Sequence, residues 1–241
     1  TVSNPMITVP NLKVIADLAH DNNAILVVDN TFMTCVQCRP LDFGADIVVN
    51  SLTKFANGHS DAVCGSATGK AELIKKAYEL QVLIGSQADP FSSWLVQRGF
   101  RTIQLRVPRQ AKNAAALAEA LDKSPYVLKV HHPSLVTHPQ HELAVEQFHG
   151  FGGMLSIELP DSREKMNKFM RALSFAHYAM TLGGYRTTLS YPVMSSHYDT
   201  PREERLKMGI TDGLLRISCG IEDTEDLVND FMNALDVAYG K

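Results

Sequence analysis

Two unbroken apolar runs near the amino terminus constrain the fold of this chain more than any other feature. They read Ala-Ile-Leu-Val-Val-Asp at residues 24–29 and Asp-Ile-Val-Val-Asn at residues 46–50. A strand with one solvated face alternates apolar and polar side chains, so these runs predict strands covered on both faces. A helical pattern over residues 10–23 precedes the first run, and a third strand is predicted at residues 63–68. The sequence therefore predicts an α/β fold with a mostly parallel sheet.

The second half of the chain has a different pattern. Apolar spacing predicts helices over residues 70–83 and 109–121, the latter after a bend near Pro108. Beyond them, short strands are predicted at residues 126–130, 154–159 and 214–219, and helices at residues 142–148, 161–173 and 223–239. This succession predicts a smaller α+β domain over residues 106–241, after a larger domain that ends at residue 105.

Composition excludes several functional classes. With 23 basic and 26 acidic residues the net charge is -3, so no basic excess favours a nucleic-acid or membrane partner. The chain has no apolar run of membrane-spanning length and no signal-peptide pattern at its start, which predicts a cytoplasmic location. Cys35 and Cys38 lack a second pair at metal-site spacing, and the four histidines at residues 131–141 are expected on loop surfaces. We therefore expect no metal site and a small-molecule substrate.

The stretch after the second apolar run carries the most chemistry. It contains Ser51, Thr53 and Lys54, followed by Gly58. Ligands of open α/β sheets bind beyond the carboxyl ends of the strands, so this lysine lies where a ligand is expected. A partly desolvated lysine loses its proton readily enough to attack a carbonyl carbon, and the two hydroxyls can turn toward a phosphate. Ser51 and Lys54 also fit a Ser-x-x-Lys nucleophile motif, but its companion motifs Ser-Asp-Asn and Lys-Thr-Gly are absent from the sequence.

Asp29, at the end of the first apolar run, forms a matched pair with Lys54. A carboxylate at a strand end can keep a heteroaromatic ring nitrogen protonated, which is what makes pyridoxal phosphate an electron sink. Taken alone, each residue has an ordinary explanation, because aspartate often caps turns and lysine is usually exposed. Taken together, on successive predicted strands, they favour a covalently bound aldehyde cofactor.

Segments that match one known family run through the whole chain in family order. They are residues 3–5, 27–32, 51–61, 94–99, 150–156, 181–184, 192–197 and 215–223. On these segments the sequence resembles the Cys/Met-metabolism family of pyridoxal-phosphate enzymes, which includes cystathionine γ-synthase, cystathionine γ- and β-lyases, methionine γ-lyase and O-acylhomoserine sulfhydrylases. The resemblance implies fold type I of pyridoxal-phosphate-dependent transferases. Residues 1–105 would then be the carboxyl-terminal part of the large cofactor-binding domain, and residues 106–241 the small carboxyl-terminal domain.

The resemblance also implies which residues hold the cofactor, pyridoxal 5'-phosphate. Lys54 would form the Schiff base and afterwards shuttle protons as the catalytic residue. Asp29 would pair with the pyridinium nitrogen, and Asn4 would bond the ring hydroxyl. Ser51 and Thr53 would help to hold the phosphate.

For the substrate, the resemblance implies contacts from Arg216 and Thr181. Arg216 would clamp the α-carboxylate, a task suited to a planar bidentate donor. Without the resemblance, Arg216 would be interpreted as an outward-facing edge residue. Two positions depart from the family pattern, because Met180 and Arg186 stand where glutamates are common. An apolar Met180 cannot bond a distal ammonium, which favours methionine, homocysteine or cysteine over cystathionine.

The function that the resemblance implies is cleavage or exchange of a carbon-sulfur bond in a sulfur amino acid, by β- or γ-elimination or γ-replacement. The chain begins at Thr1 rather than at Met, and the family pattern leads us to expect a preceding amino-terminal part that completes the site. We therefore expect a homo-oligomer, dimer or tetramer, with a separate amino-terminal polypeptide as a further candidate partner. The alternatives are a catalytically silent fragment that only associates and, less favoured, an aminotransferase of the same fold.

Overall fold

Two β-sheets, each flanked by helices, organise the chain. The computed structural model describes residues 1–240. Its helices are α1 (Leu12–Asp21), α2 (Thr34–Gln37), α3 (Ala71–Ile84), α4 (Pro90–Phe100), α5 (Ile103–Asp122), α6 (His141–Gln147), α7 (Arg163–Ala172), α8 (Arg202–Lys207) and α9 (Thr224–Tyr239). Its strands are β1 (Val27–Asp29), β2 (Ile47–Ser51), β3 (Gly65–Gly69), β4 (Lys129–His131), β5 (Met154–Glu158), β6 (His177–Tyr178), β7 (Thr188–Ser190) and β8 (Leu214–Ser218).

The first sheet has the order β1-β2-β3. β1 and β2 are parallel, so their carboxyl ends meet at one edge, whereas β3 runs antiparallel to β2. The prediction that β1 is covered on both faces is wrong for this chain, because Val28 is buried while Val27 and Asp29 on the other face are exposed. Apolar residues on that face lack a covering element among residues 1–240.

The opposite end of this sheet is held by Asp46, which lies just before β2. Its carboxylate accepts hydrogen bonds from the Lys70 amine at 2.6 Å and the Leu26 N–H at 2.8 Å, and the His20 ring lies at 2.9 Å. The Lys70 bond first, then those from Leu26 and His20, hold the pKa of Asp46 well below its ordinary value. One carboxylate thereby joins the ends of α1 and β3 to the starts of β1 and β2.

The second sheet has the order β4-β5-β8-β7-β6 and covers the main hydrophobic core. The strand β8 is central, paired antiparallel with β5 on one side and β7 on the other. Leu117, Leu155, Ile217 and Phe231 bring α5, β5, β8 and α9 together in this core. All five residues of β8 are buried, so polar side chains on it are held in the interior.

A smaller cluster joins the predicted lysine segment to the second sheet. It packs Phe55 and Ala56, which follow Lys54, against Ile103 of α5 and Met154 of β5. The Phe55 side chain is almost fully buried. The backbone that carries Lys54 is therefore anchored in a core to which α5 and the second sheet contribute.

The helix α5 continues through Pro108 and begins at Ile103 rather than at residue 109, the start that the sequence predicted. The bend near Pro108 stays a prediction. Pro108 is exposed and lies within the first two turns of α5, and its missing N–H removes one intrahelical hydrogen bond. The helix also crosses residue 105. The division into domains at residues 105 and 106 stays a prediction.

Three of the four histidines that were expected on loop surfaces are buried, so that expectation is wrong. His131 lies in β4 and contacts the Glu158 carboxylate at 2.7 Å. His132 is completely buried beside the Ser134 hydroxyl, and burial lowers the pKa of His132 to about 4. His138 is also buried. Over residues 1–240, no three His, Cys, Asp or Glu side chains gather as metal ligands.

None of the helices within residues 1–240 has both the length and the apolar character needed to cross a membrane. The cytoplasmic location expected from the sequence stays a prediction.

Candidate active site

A cavity of about 540 Å³ opens at the carboxyl ends of β1 and β2. Small-molecule sites commonly have volumes of roughly 300–1,000 Å³, so this cavity has the size of a cofactor site. Four of the predicted site residues, Asn4, Asp29, Ser51 and Lys54, line it. The location follows from the parallel pairing of β1 and β2, which brings Asp29 and Ser51 to the same sheet edge.

Lys54 lies in the tight turn that follows β2. This segment, residues 51–58, is called the lysine turn. It is closed by a hydrogen bond from the Lys54 N–H to the Ser51 carbonyl at 3.2 Å and one from the Gly58 N–H to the Lys54 carbonyl at 2.7 Å. Burial lowers the pKa of the Lys54 amine, and the nearby Arg216 guanidinium lowers it further. A larger fraction of this amine is therefore unprotonated and nucleophilic than for a surface lysine.

Gly183 brings the second sheet directly against the backbone of Lys54. Its φ of +78° lies in the left-handed region, and a Cβ added there would lie 2.5 Å from the Phe55 nitrogen and 2.8 Å from the Lys54 carbonyl carbon. The Gly183 N–H donates to the Ser218 hydroxyl of β8 at 2.8 Å. Only glycine permits this approach, which fixes the lysine turn against β8.

Asp29 and Ser51 are joined through Thr31. The Thr31 N–H donates to Oδ1 of Asp29, and the Ser51 N–H donates to the Thr31 hydroxyl, both at 2.8 Å. The Asp29 carboxylate is exposed on the cavity side and is oriented by the first of these bonds. The carboxylate and the start of the lysine turn therefore have fixed relative positions.

Thr53 is the predicted cofactor residue whose side chain is engaged elsewhere. Its hydroxyl accepts from the Cys64 N–H at 3.0 Å and donates to the Cys64 carbonyl at 3.3 Å. These bonds attach the lysine turn to the segment that leads into β3. Thr53 is also absent from the residues that line the cavity.

Arg216 lies at the centre of β8 and is buried, so the interpretation as an outward-facing edge residue is wrong. Its guanidinium donates to Oδ1 of Asn4 and to the Thr181 carbonyl, each at 3.2 Å. Its Nε is buried without a hydrogen-bond partner, and burial lowers the pKa of Arg216. A buried guanidinium with an unused donor is an incomplete site for a carboxylate.

Thr181 is brought to Arg216 by its backbone. Its carbonyl oxygen accepts from the Arg216 guanidinium and also from the Thr188 hydroxyl at 3.3 Å. The Thr181 side chain is not among the cavity-lining groups, whereas the next residue, Leu182, is.

Sequence reasoning missed several residues that shape the site. Phe32 and Leu182 line the cavity, and the Thr31 hydroxyl holds Ser51. Arg106 of α5 donates hydrogen bonds to the carbonyls of Phe55 and Ala56, next to Lys54. Nothing in the sequence distinguishes Arg106 from a surface arginine of a helix, because the Phe55 and Ala56 carbonyls are 51 and 50 residues away along the chain.

The residues around the cavity define a class of protein, an α/β protein with a reactive lysine and a carboxylate at the carboxyl edge of its sheet. They fit a cofactor with an aldehyde and a ring nitrogen: Lys54 has a weakened hold on its proton, and Asp29 faces the same cavity. The unused donor on Arg216 fits the carboxylate of an amino acid.

Comparison with known proteins gives the family. The model of the family of Cys/Met metabolism PLP-dependent enzymes matches residues 1–236. A cystathionine gamma-lyase of Dictyostelium discoideum is 43% identical over 237 residues, covering 98% of this chain and 61% of that protein. A cystathionine beta-lyase of Bacillus subtilis is 44% identical over 236 residues, covering 98% and 60%.

Solved structures agree with these relatives. Cystathionine gamma synthase from Xanthomonas oryzae pv. oryzae, in complex with aminoacrylate and cysteine, matches with a TM-score of 0.95 and 40% identity, covering 98% of this chain and 61% of that one. A methionine gamma lyase from Micromonospora echinospora matches with a TM-score of 0.90 and 34% identity, covering 97% and 63%.

The chain therefore belongs to the Cys/Met-metabolism family of pyridoxal-phosphate-dependent enzymes. The prediction of the family, of its fold and of its cofactor is confirmed. The chain spans about three-fifths of the length of the curated relatives it matches.

Proposed function

We propose that this chain carries the reactive lysine of an enzyme that cleaves or exchanges a carbon-sulfur bond in a sulfur amino acid. The reaction would be β- or γ-elimination or γ-replacement. The observation that carries the proposal is the common cavity of Lys54, Asp29 and Ser51, with Arg216 bonded to Asn4 at its edge. Together these residues supply a nucleophilic amine, a partner for a ring nitrogen, a phosphate contact and a carboxylate clamp.

In this proposal each cavity residue holds one part of pyridoxal phosphate. Lys54 would hold it covalently through Nζ, and Asp29 would accept a hydrogen bond from the ring nitrogen. Asn4 would contact the ring hydroxyl, and the Ser51 hydroxyl the phosphate. Thr53 would contact the phosphate only after its hydroxyl turns from the Cys64 carbonyl, to which it now donates. When bound, the cofactor withdraws electrons from the substrate Cα.

Lys54 is also the proposed proton carrier. The lowered pKa of its amine leaves a larger fraction of it unprotonated and free to accept the proton from the substrate Cα. Gly183 and the buried Phe55 fix the backbone of its turn, so the side chain of Lys54 extends from a fixed position. Fixed placement of a base contributes to catalysis because proton transfer requires hydrogen-bond distance.

Arg216 is proposed to bind the α-carboxylate of the substrate. A carboxylate that replaces the Asn4 amide oxygen would engage Nη1, and the unpartnered Nε offers a further donor on the same guanidinium. The Thr181 carbonyl would continue to hold Nη2 and fix the plane of the guanidinium. Thr181 therefore supports the substrate through its backbone in this proposal.

The preferred sulfur amino acid is the least constrained part of the proposal. Met180 favoured methionine, homocysteine or cysteine, but its side chain is 72% exposed and does not line the cavity. Several relatives are named for cystathionine. We therefore include cystathionine with methionine, homocysteine and cysteine as candidate substrates.

The first test reduces the cofactor-loaded protein with borohydride and maps the pyridoxyl adduct by peptide mass spectrometry. The adduct is expected on Lys54 and is expected to disappear in Lys54→Ala. Lys70→Ala is the matched control, because Lys70 bonds Asp46 at the other end of the sheet. An adduct elsewhere, or an unchanged adduct in Lys54→Ala, would contradict the proposal.

The second test measures thiol and keto-acid release from cystathionine, methionine, cysteine and O-acetylhomoserine. Release of a thiol or sulfide with keto-acid formation is the expected result for the three sulfur amino acids, and release of acetate with keto-acid formation for O-acetylhomoserine. Keto-acid exchange without thiol release would instead favour an aminotransferase. Absence of both, together with absence of an adduct on Lys54, would favour a catalytically silent fragment.

We also propose that a second copy of the chain covers α3 and α4, in a dimer or tetramer. Both helices expose many large apolar side chains, and contiguous patches of this kind mark interaction surfaces. These are Tyr78, Leu80, Val82, Leu83, Ile84, Phe91 and Trp94. Phe91 and Trp94 stack with ring centroids 6.0 Å apart, which gives the surface a flat aromatic element.

The oligomer is tested by light scattering on the purified protein. A Leu83→Glu, Trp94→Glu double variant is expected to have the mass of a smaller assembly than the wild type. Val237→Glu is the control, since Val237 is similarly exposed but lies on α9. A monomeric wild type would refute the proposed assembly.

A separate amino-terminal polypeptide is proposed as the partner of α1 and β1. Val14 and Leu18 of α1 and Val27 of β1 are exposed, and within residues 1–240 β1 pairs with β2 alone. An apolar face beside an unpaired strand edge suits a further strand and helix. Native mass spectrometry of the isolated protein tests this, because an assembly of this chain alone would contradict it.

A further inference from the structure

Arg106 is a buried cation whose hydrogen-bond acceptors are all neutral. Its guanidinium donates to the Phe55 carbonyl at 2.9 Å, the Ala56 carbonyl at 3.0 Å and the Gly99 carbonyl at 2.8 Å. Its Nε donates to the Thr102 hydroxyl at 2.9 Å. The side chain is only 5% exposed. The first two acceptors are the carbonyls of the residues that follow Lys54.

Burying a guanidinium without a carboxylate partner costs free energy. This cost indicates that the hydrogen bonds of Arg106 have a structural role. Burial lowers the pKa of Arg106, and no other contact opposes that shift. Arg205 shows the usual arrangement, since it is almost as buried but donates to the Asp212 carboxylate at 3.0 Å. Arg106 instead donates hydrogen bonds to the Phe55 and Ala56 carbonyls of the lysine turn. These two carbonyls accept no backbone hydrogen bond within the turn.

The lysine turn is shaped to receive this guanidinium. A Cβ on Gly58 would lie 1.7 Å from Nη1 of Arg106, so only glycine lets the guanidinium lie against the turn. On the neighbouring helix, a Cβ on Gly99 would lie 2.5 Å from the Asn57 carbonyl oxygen. Residues 55–58 are therefore enclosed by α4 and α5 with almost no free space.

Lys54 itself is held only through its backbone. It has hydrogen bonds from its N–H and to its carbonyl within the turn, and contact with Gly183 on the other side. The position of Nζ therefore depends on what fixes the backbone of the following residues.

We propose that Arg106 is a positioning residue for Lys54, which holds the turn so that Nζ reaches into the cavity. The inference rests on the proposed function, since it concerns the amine that would bond the cofactor. The planar guanidinium of Arg106 donates to three carbonyls and one hydroxyl, so it specifies one geometry of the surrounding backbone. The ammonium of a lysine has no fixed plane and could not do so. Removing the fork frees the turn to shift away from the cavity.

The test compares Arg106→Lys with Arg205→Lys after the bound cofactor has been removed from each purified protein and pyridoxal phosphate is added back, well below the unfolding temperature of each. Both variants lose the fork of a buried arginine, but only Arg106 contacts the lysine turn. The readout is the rate at which pyridoxal phosphate, trapped by borohydride, labels Lys54. We expect a decrease of about tenfold or more in Arg106→Lys and a change within about twofold in Arg205→Lys, because small misplacements of a reacting group cost large factors in rate.

A second pair of variants keeps the inference testable if Arg106→Lys does not fold. Thr102→Val removes the acceptor of Arg106 Nε, whereas Thr102→Ser retains it. Thr102→Val is expected to slow the labelling of Lys54 by several fold and to lower kcat with little change in substrate KM. Thr102→Ser is expected to behave as the wild type.

The outcomes separate the inference from the proposed function. No adduct on Lys54 in the wild type would overturn both. An adduct in the wild type with the same labelling rate in Arg106→Lys, or in Thr102→Val if the former does not fold, would overturn the positioning role alone. A slow rate in Arg205→Lys equal to that in Arg106→Lys would show a general loss of stability and would also overturn it.

Discussion

Substituting Gly183 with alanine tests how the second sheet controls the reactive lysine. Gly183 has a φ of +78°, and its α-carbon faces the backbone of Lys54 and Phe55. Alanine therefore adds both conformational strain and a collision. Gly85 at the end of α3 has a φ of +72° and open space around it, so Gly85→Ala adds the strain alone. The two variants together separate strain from displacement.

The size of the effect follows from the distances. The new Cβ would lie 2.5 Å from the Phe55 nitrogen, whereas ordinary contact begins near 3.4 Å, so the backbone must move by about 0.9 Å. Left-handed strain costs alanine about 1 to 2 kcal/mol, and overpacking adds about 1 to 3 kcal/mol. We expect Gly85→Ala to lose about 1 to 2 kcal/mol of stability and Gly183→Ala about 2 to 5 kcal/mol.

The displacement should also reach the chemistry. A shift near 1 Å at a reacting group costs on the order of 100-fold in rate. Gly183→Ala is therefore expected to slow the labelling of Lys54 by about that factor, while Gly85→Ala labels at the wild-type rate. Labelling is measured by borohydride trapping, and stability by denaturant unfolding.

A labelling rate in Gly183→Ala equal to that in Gly85→Ala would refute this reasoning. It would mean that the 181–184 segment moves instead of the lysine turn. A loss of stability in Gly183→Ala no larger than in Gly85→Ala would refute the collision itself, because strain alone would then account for it.

Three further predictions concern other contacts. Arg216→Lys keeps the charge but loses the bidentate fork, so the substrate KM should rise by about 10- to 100-fold with a smaller effect on kcat, as steady-state kinetics would show. Asp46→Asn removes the anion that Lys70 contacts and should lower the free energy of unfolding by about 2 to 4 kcal/mol, measured in urea at neutral pH. His132 has its pKa lowered by burial from the ordinary 6.5 to about 4, so unfolded chains take up its proton at higher pH than folded ones. The contribution of neutral His132 to the free energy of unfolding is present above pH 6.5 and is lost as the pH falls toward 4. The loss is on the order of 2 to 3 kcal/mol. In His132→Gln, the free energy of unfolding measured in urea should therefore decline less steeply with falling pH.

Each of these predictions has its own control. Arg186→Lys, an exposed arginine, should leave the substrate KM unchanged, and an equal rise there would contradict the role of Arg216. The pKa of Asp46 is lowered chiefly by Lys70, so its stabilisation is present above the ordinary carboxyl pKa of 3.8 and lost below it. An equal loss of stability on acidification in Asp46→Asn and wild type would contradict that linkage. His131 and His138 also have lowered pKa values, so part of the slope should remain in His132→Gln.

Most helices and strands could be predicted because local signals coincide with tertiary structure. The helix predicted at residues 223–239 is α9, and Asp223 caps it by accepting from the Glu225 and Asp226 N–H groups. The helix α4 was missed although Asp89 and Pro90 are an N-cap and first-turn pair, because serine and glycine weaken its helical pattern. The strands β6 and β7 are too short to give a periodic signal.

The candidate site could be predicted only where chemistry is local in sequence. Lys54 and Asp29 follow apolar strands, a position that marks a ligand edge in any α/β sheet. Arg216 became identifiable through the family motif, since a strand arginine alone indicates an edge. The occupied hydroxyl of Thr53 and the backbone contact of Thr181 could not be predicted, because they depend on side-chain rotamers and loop geometry.

In the proposed function, the proximity of Arg216 and Lys54 would link substrate binding to the protonation of the lysine. Burial and the Arg216 charge both favour the neutral amine of Lys54 when the clamp holds only the neutral Asn4 amide. A substrate carboxylate at Arg216 would offset that charge and so strengthen the hold of Lys54 on a proton. Lys54 would then attack the cofactor aldehyde more readily before the substrate arrives and would hold a transferred proton more firmly afterwards. In this proposal the amine would serve both as a nucleophile and as a proton carrier, because the substrate carboxylate would neutralise its charged neighbour Arg216.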